Sequence, residues 1–186
     1  MTQLRVLAAE RSVRLLVCGF VESMPTALDD NLTVPLAGAC VLPLLVMAQP
    51  AVLFSDPGFT GRLATGLACN AVIAALAWKA RSIDGPGAVS AVVIGALITA
   101  ALGLAGLAVM VAFFVVGSAA TRFGYRVKAA RGIAQEKGGA RGWRNAWANG
   151  GVAAALAVMA GFTTGEARAL FVLAYAAAVA TAAADT

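Results

Sequence analysis

The chain contains no histidine, which removes imidazole from any catalytic or metal-binding scheme and with it the side chain that ordinarily titrates near neutrality. Charge is scarce as well. Charged residues make up 12% and aromatic residues 7% of the 186, against 61% hydrophobic residues. A water-soluble globule of this length cannot cover its surface with so few polar groups. The chain therefore reads as an integral membrane protein, in keeping with a mean hydropathy of +0.85. Cysteine is nearly absent: Cys18, Cys40 and Cys69 lie in apolar surroundings with no CxxC spacing, which argues against a disulfide framework or metal cluster and for packing. Acidic residues number 9 against 14 basic ones, but the bases sit in a few connecting segments instead of covering a surface. That pattern points to membrane orientation and anionic ligands, with no nucleic acid.

What is present is a series of apolar runs, at about 32–54, 63–78, 86–102, 104–121, 150–162 and 168–184. They predict an all-α polytopic membrane protein with about six transmembrane helices. The run from Ala88 to Ala120 is too long for one span, and its "GLAG" at 103–106 predicts a tight hairpin between two helices. The fifth run falls short of the roughly 20 residues a span needs, so a non-helical segment is expected to lead into it. Pro35, Pro43 and Pro50 predict kinks in the first run. Residues 1–31 carry Arg5, Glu10, Arg11 and Arg14 beside a short apolar patch with no small-residue cleavage site, and read as an N-terminal cytoplasmic arm; Met24 is an alternative start. Residues 32–186 then form the transmembrane domain, with a basic, glycine-rich cytoplasmic loop at 122–149.

The basic residues test this count. With the N-terminus inside, twelve bases (Arg5, Arg11, Arg14, Lys79, Arg81, Arg122, Arg126, Lys128, Arg131, Lys137, Arg141, Arg144) fall on the cytoplasmic side and only Arg62 and Arg168 fall outside. The expected location is the cell's inner (plasma) membrane, with the 122–148 loop in the cytoplasm. The abundant Ala and Gly of the helices serve close packing in lipid.

The loop holds the candidate chemistry. In "GIAQEKGGARGWRNAWANGG", residues 132–151, Glu136 and Lys137 precede Gly138 and Gly139, whose backbone freedom lets successive N–H groups converge on an anion. Asn149, Gly150 and Gly151 stand at the predicted start of an apolar helix, where a cap and free N–H groups make a phosphate site. Asn145 and Asn149, four apart, share a face if the stretch is helical. Trp143 and Trp147 read first as interfacial anchors. The competing reading of the whole loop is a topological anchor touching anionic lipid headgroups, each base contributing about 1 kcal/mol near the surface.

Four stretches, "ARSIDGPGAVSA", "FFVVGSAATRFGYRVK", "GIAQEKGGARGWRNAWANGGV" and the closing "AAADT", together resemble the transmembrane protein 19 family, which includes the plant phytyl-phosphate kinase of the vitamin E pathway. The likeness runs from about Leu76 to Thr186. It implies a membrane kinase that transfers a phosphoryl group from a nucleoside triphosphate to an isoprenoid monophosphate, with Mg²⁺. In relatives the "ADT" is followed by an aromatic residue, an acid and later a PxGTxGG block, so the resemblance implies that this chain is the N-terminal part of a family member. Such a part is expected to be inactive alone. The resemblance makes Asp185 a metal ligand and catalytic carboxylate, and Lys137 and Arg141 the cations that neutralise phosphates; Arg81 and Asp84, in a further matching segment, either bind the substrate phosphate or pair with each other at low net benefit. Walker A and GxGxxG patterns are absent, so any phosphate cradle is of another type. The alternatives are a transporter or lipid-handling protein that binds anionic headgroups without chemistry, or an inactive remnant.

Overall fold

A computed structural model describes residues 44, 46–122 and 142–184. The N-terminal arm and most of the first apolar run therefore lie outside the described residues. So do Glu136, Lys137, Gly138, Gly139, Arg141 and Asp185. Residues up to Gln49 form a separate unit, of which Leu44, Val46 and Met47 are helical. The run 32–54 breaks at Ala48 and Gln49, just before Pro50, one of the prolines expected to kink it, because Pro disfavours the helical conformation in the residue before it.

From Pro50 onward the described chain is helical, with no strand. A short helix α1 (Pro50–Phe54) precedes α2 (Phe59–Lys79), α3 (Gly85–Arg122), α4 (Trp143–Gly161) and α5 (Gly165–Ala184). Three helices are long and apolar enough to cross a membrane by length and composition: α2, α5 and the Gly85–Ala119 portion of α3. α4 falls outside that group because its first two turns, "WRNAWAN", are polar.

α3 is two helices. Gly103 has φ 71° and ψ −164°, a conformation open in practice to glycine alone. In a straight helix Ile94 and Phe113 would stand about 28 Å apart, yet both are buried in one apolar cluster, and Phe114 packs near Ala77, Ile83 and Ala88. The chain thus reverses at Gly103 into a first arm (85–102) and a second arm (104–122), as the "GLAG" predicted. Each arm is about 27 Å long, close to the thickness of a bilayer core.

Small residues let these helices approach. α2 runs antiparallel to the first arm: a Cβ at Gly66 would lie 2.8 Å from Thr99 Cβ, and buried Asn70 donates from Nδ2 to Gly66 O at 2.7 Å. α4 runs parallel to the first arm and buries a face of Gly150, Ala153, Ala154, Ala157, Ala160 and Gly161, a helical spacing of small residues suited to lipid-embedded packing. At Gly161 a Cβ would meet Ala101 and Leu53 at 3.2 Å. α5 returns along α4, and the Tyr175 hydroxyl donates to Gly106 O at 2.7 Å, tying α5 to the base of the second arm.

The two ends of the bundle differ. At the end holding the Gly103 turn, Arg62 Nε donates to Ala100 O at 3.0 Å and Arg168 Nη1 to Ala160 O at 2.8 Å. Each arginine serves a carbonyl in the last turn of another helix, where the macrodipole is negative. Arg62 also pairs with Asp56 at 2.9 Å, and Phe54 stacks edge-on against Phe59 at 5.2 Å. The opposite end carries Lys79, Arg81 and Arg144, together with Trp78, Trp143 and Trp147, which are all exposed. Both arginines assigned outside thus share one end, and each has a structural partner there.

Candidate functional site

The end that carries the tryptophans is where the basic loop leaves the bundle, between Arg122 and Trp143. α2 stops there in a turn that needs a left-handed residue. Arg81 supplies it with φ 55°, while its N–H bonds Trp78 O at 2.8 Å and Ser82 N–H bonds Ala77 O at 2.9 Å. These two bonds are those of a Schellman turn, whose left-handed position is ordinarily glycine. Arg81 is exposed, so nothing in its packing demands a long cationic side chain there.

Asp84 then starts the first arm. Its Oδ1 accepts the Gly87 N–H at 2.8 Å, an N-cap bond. Its Oδ2 lies 3.2 Å from where a Cβ on Gly142 would stand, and Gly142 is the residue preceding α4. One carboxylate thus sits beside the N-terminal ends of two helices, where an anion is favoured by free N–H groups and the macrodipole.

Between these helices lies a cavity of about 100 Å³. Its walls are apolar, with Ile83, Ile94, Leu107 and Phe113 among them, and Asn145, Asn149 and Asn70 contribute polar atoms. Asn145 and Asn149 do share a face, because the chain is helical through both, and that face lines the cavity. Asn70 and Gly95 form part of the wall about 12 Å along the first arm from Gly87.

The predicted phosphate site at the start of an apolar helix needs correction. α4 begins at Trp143, so Asn149, Gly150 and Gly151 lie about two turns inside a continuous helix, where N–H groups are taken by carbonyls four residues back. The expected non-helical lead-in before residue 150 is absent for the same reason. Gly150 and Gly151 serve packing instead. A Cβ on Gly150 would meet the Ile94 side chain at 3.3 Å, and one on Gly151 the Trp147 ring at 3.3 Å. Trp143 and Trp147 are half exposed at the end of the bundle, with the Arg144 guanidinium 5.5 Å from the Trp143 ring centroid, as befits interfacial anchors.

Sequence reasoning named Asp84 only as a companion of Arg81 and missed its N-cap role, although Asp followed by Pro two positions on is a helix-start signal. It also passed over Asn70, whose signal was an amide in the middle of an apolar span.

Residues 68–186 match the family described as Integral membrane protein DUF92. Over 70 residues, 38% of this chain, the sequence is 46% identical to an uncharacterized membrane protein of Synechocystis sp. (strain ATCC 27184 / PCC 6803 / Kazusa). The matched stretch spans 27% of that relative's length. No solved structure matches the chain. The chain belongs to the DUF92 integral membrane protein family.

Proposed function

We propose, from the resemblance to the transmembrane protein 19 family, that this protein acts as a membrane kinase that moves a phosphoryl group from a nucleoside triphosphate to an isoprenoid monophosphate, giving the diphosphate. The observation that carries this reading is the apolar cavity, flanked by Asn145 and Asn149, at the end of the bundle from which the basic loop departs. An amphiphile with a hydrocarbon tail and a phosphate head suits it, the tail among apolar walls and the head between asparagines and loop. In this reading the loop end faces the cytoplasm, where the nucleotide is, since the basic residues gather there.

The acceptor needs no general base. A phosphate monoester has its second pKa near 6 and is largely ionised at neutral pH, so a histidine-free site is adequate. What remains is to neutralise and align crowded phosphates. Lys137 and Arg141 are assigned the neutralisation, with Glu136, Gly138 and Gly139 in the same loop and Arg81 at its edge. Asn145 and Asn149 orient phosphate oxygens through their amides. Gly150 acts only by letting α4 approach the first arm of α3, and Gly151 by leaving room for the Trp147 ring on its own helix. Among the described residues no three His, Cys, Asp or Glu side chains gather. A metal would be held in the manner of Mg²⁺, by one or two carboxylates plus phosphate oxygens, with Asp185, outside the described residues, as the assigned carboxylate. When bound, Mg²⁺ would supply charge neutralisation on the nucleotide phosphates.

The test is binding of labelled geranylgeranyl phosphate to the purified chain in detergent. Lys137→Gln and Arg141→Gln are each expected to lose roughly ten- to a hundredfold in affinity, from about 1.5–3 kcal/mol per charge-assisted bond. Arg126→Gln, outside the glycine blocks, should lose far less. Equal affinities for the three variants would return the loop to a topological anchor. Binding without nucleotide-dependent diphosphate formation, here and in a full-length relative, would instead identify a lipid-handling or transport protein.

A further inference from the structure

Two recesses in this half of the bundle share a wall. One is the inner cavity. The other is an open groove of about 540 Å³ on the outer face, between α2 and the second arm of α3. Ile73, Ala77, Val111 and Phe114 line both. The groove's rims, Leu76 and Val115, are 62% and 58% exposed, which in a bilayer sets them against acyl chains. The helical rise from residue 73 to 80, and from 111 to 119, makes the groove about 10–12 Å long. Its outer end, near Ala80 and Ser82, holds Ser118.

Ser118 breaks a pattern. Ser90, Thr99, Thr163 and Thr181 each return their hydroxyl to the carbonyl four residues back, at 2.7–3.0 Å. The Ser118 Oγ is buried and has no hydrogen-bond partner. A hydroxyl kept from water without a partner is costly, and the cost is relieved when a ligand brings a polar atom to it. Here that atom must arrive along an apolar groove open to lipid, at the level of Trp78, which marks the interface end of α2. A molecule with a hydrocarbon tail and an oxygen-bearing head fits both demands.

We propose that this groove binds a single-chain amphiphile drawn from the bilayer. Its head-group oxygen accepts a hydrogen bond from Ser118 once rotation about the Cα–Cβ bond turns the buried Oγ toward the groove, its tail lies between Leu76 and Val115, and Phe114 is the wall that the tail passes to reach the inner cavity. That the head is a phosphate rests on the kinase reading; that the groove is a site does not.

Photolabelling tests it in phosphatidylcholine nanodiscs without nucleotide, with hexadecyl monophosphate carrying a mid-chain diazirine as probe and a headless hexadecane diazirine as control. The monophosphate should label the stretches around Leu76 and Val115 saturably and in preference to Leu170 and Leu173, the exposed bilayer face of α5. The headless probe should label both faces alike. Ser118→Ala should weaken groove labelling about tenfold, the loss of one hydrogen bond to a charged partner. It should not lower thermal stability, because it removes an unpaired hydroxyl. Phe114→Ala should extend labelling to the Asn145–Gly150 stretch. Equal labelling of the two faces by the monophosphate would overturn the proposal, and so would an unchanged affinity in Ser118→Ala. Saturable groove labelling, beside a full-length relative that forms no diphosphate when nucleotide is supplied, would overturn only the kinase reading, and diphosphate formation by that relative with uniform labelling only the groove.

Discussion

Gly95→Ala probes the crossing of α2 over the first arm of α3. A Cβ at this position would fall on the carboxamide of Asn70, on its oxygen, carbon and nitrogen alike. Asn70 is 6% exposed and donates to Gly66 O, so the amide is short, enclosed and already engaged. Overpacking of this kind costs about 1–3 kcal/mol, and loss of the Asn70 bond adds about 0.5–1.5 kcal/mol. The gain in helix propensity from glycine to alanine returns about 1 kcal/mol. The clash wins, and the net destabilisation expected is about 0.5–3.5 kcal/mol. In an Asn70→Ala background the amide is gone, so the same methyl should cost nothing or stabilise slightly. A double-mutant cycle on the purified protein, followed by helical signal during unfolding in detergent, reads the coupling directly. Gly61→Ala, where a Cβ meets nothing within 4 Å, is the control and should be neutral or mildly stabilising. If Gly95→Ala costs the same with and without the Asn70 amide, within about 0.5 kcal/mol, the packing argument for this crossing is wrong.

Arg81→Gly should stabilise the fold by about 1 kcal/mol, since a left-handed non-glycine residue carries a steric cost of that order; if Arg81 also contacts phosphate, the same variant should bind prenyl phosphate less well, and a variant more stable yet undiminished in binding would remove Arg81 from the site. Asp56 is held below its ordinary value of 3.8, first by the Gly58 N–H and then by the Arg62 guanidinium. A depressed carboxylate contributes stability that is present above its unfolded value and lost as pH falls through the lower folded one. The melting temperature should therefore drop on acidification between about pH 5 and 2, with a shallower drop in Asp56→Asn; identical slopes would show that the bridge at the Gly103 end does not hold the fold.

Much of the architecture was legible because it is local. Helical runs announce themselves by length and hydropathy, and the reversal at Gly103 was readable from a run too long for one span with glycines at its middle. Asn145 and Asn149 could be set on one face by helical period alone. The site was less legible because its geometry depends on which helix meets which. Nothing in "WRNAWANGGV" says that the helix starts at Trp143, where the polar turns emerge from the bundle, and not at the glycines. Once the start moves, the glycine N–H groups are consumed by the helix and cease to be phosphate donors.

Sequence alone determined that the chain is a membrane protein, since its composition leaves too few polar residues to face water, and the order of its residues located the Gly103 turn. Only the tertiary structure decided that Arg62 and Arg168 serve carbonyls of helices distant in sequence, that Gly95 is small to admit the Asn70 amide, and that Ser118 is left unpaired in a groove open to lipid. Each of these turns on a partner many residues away, and periodicity along one helix carries no information about the helix packed against it.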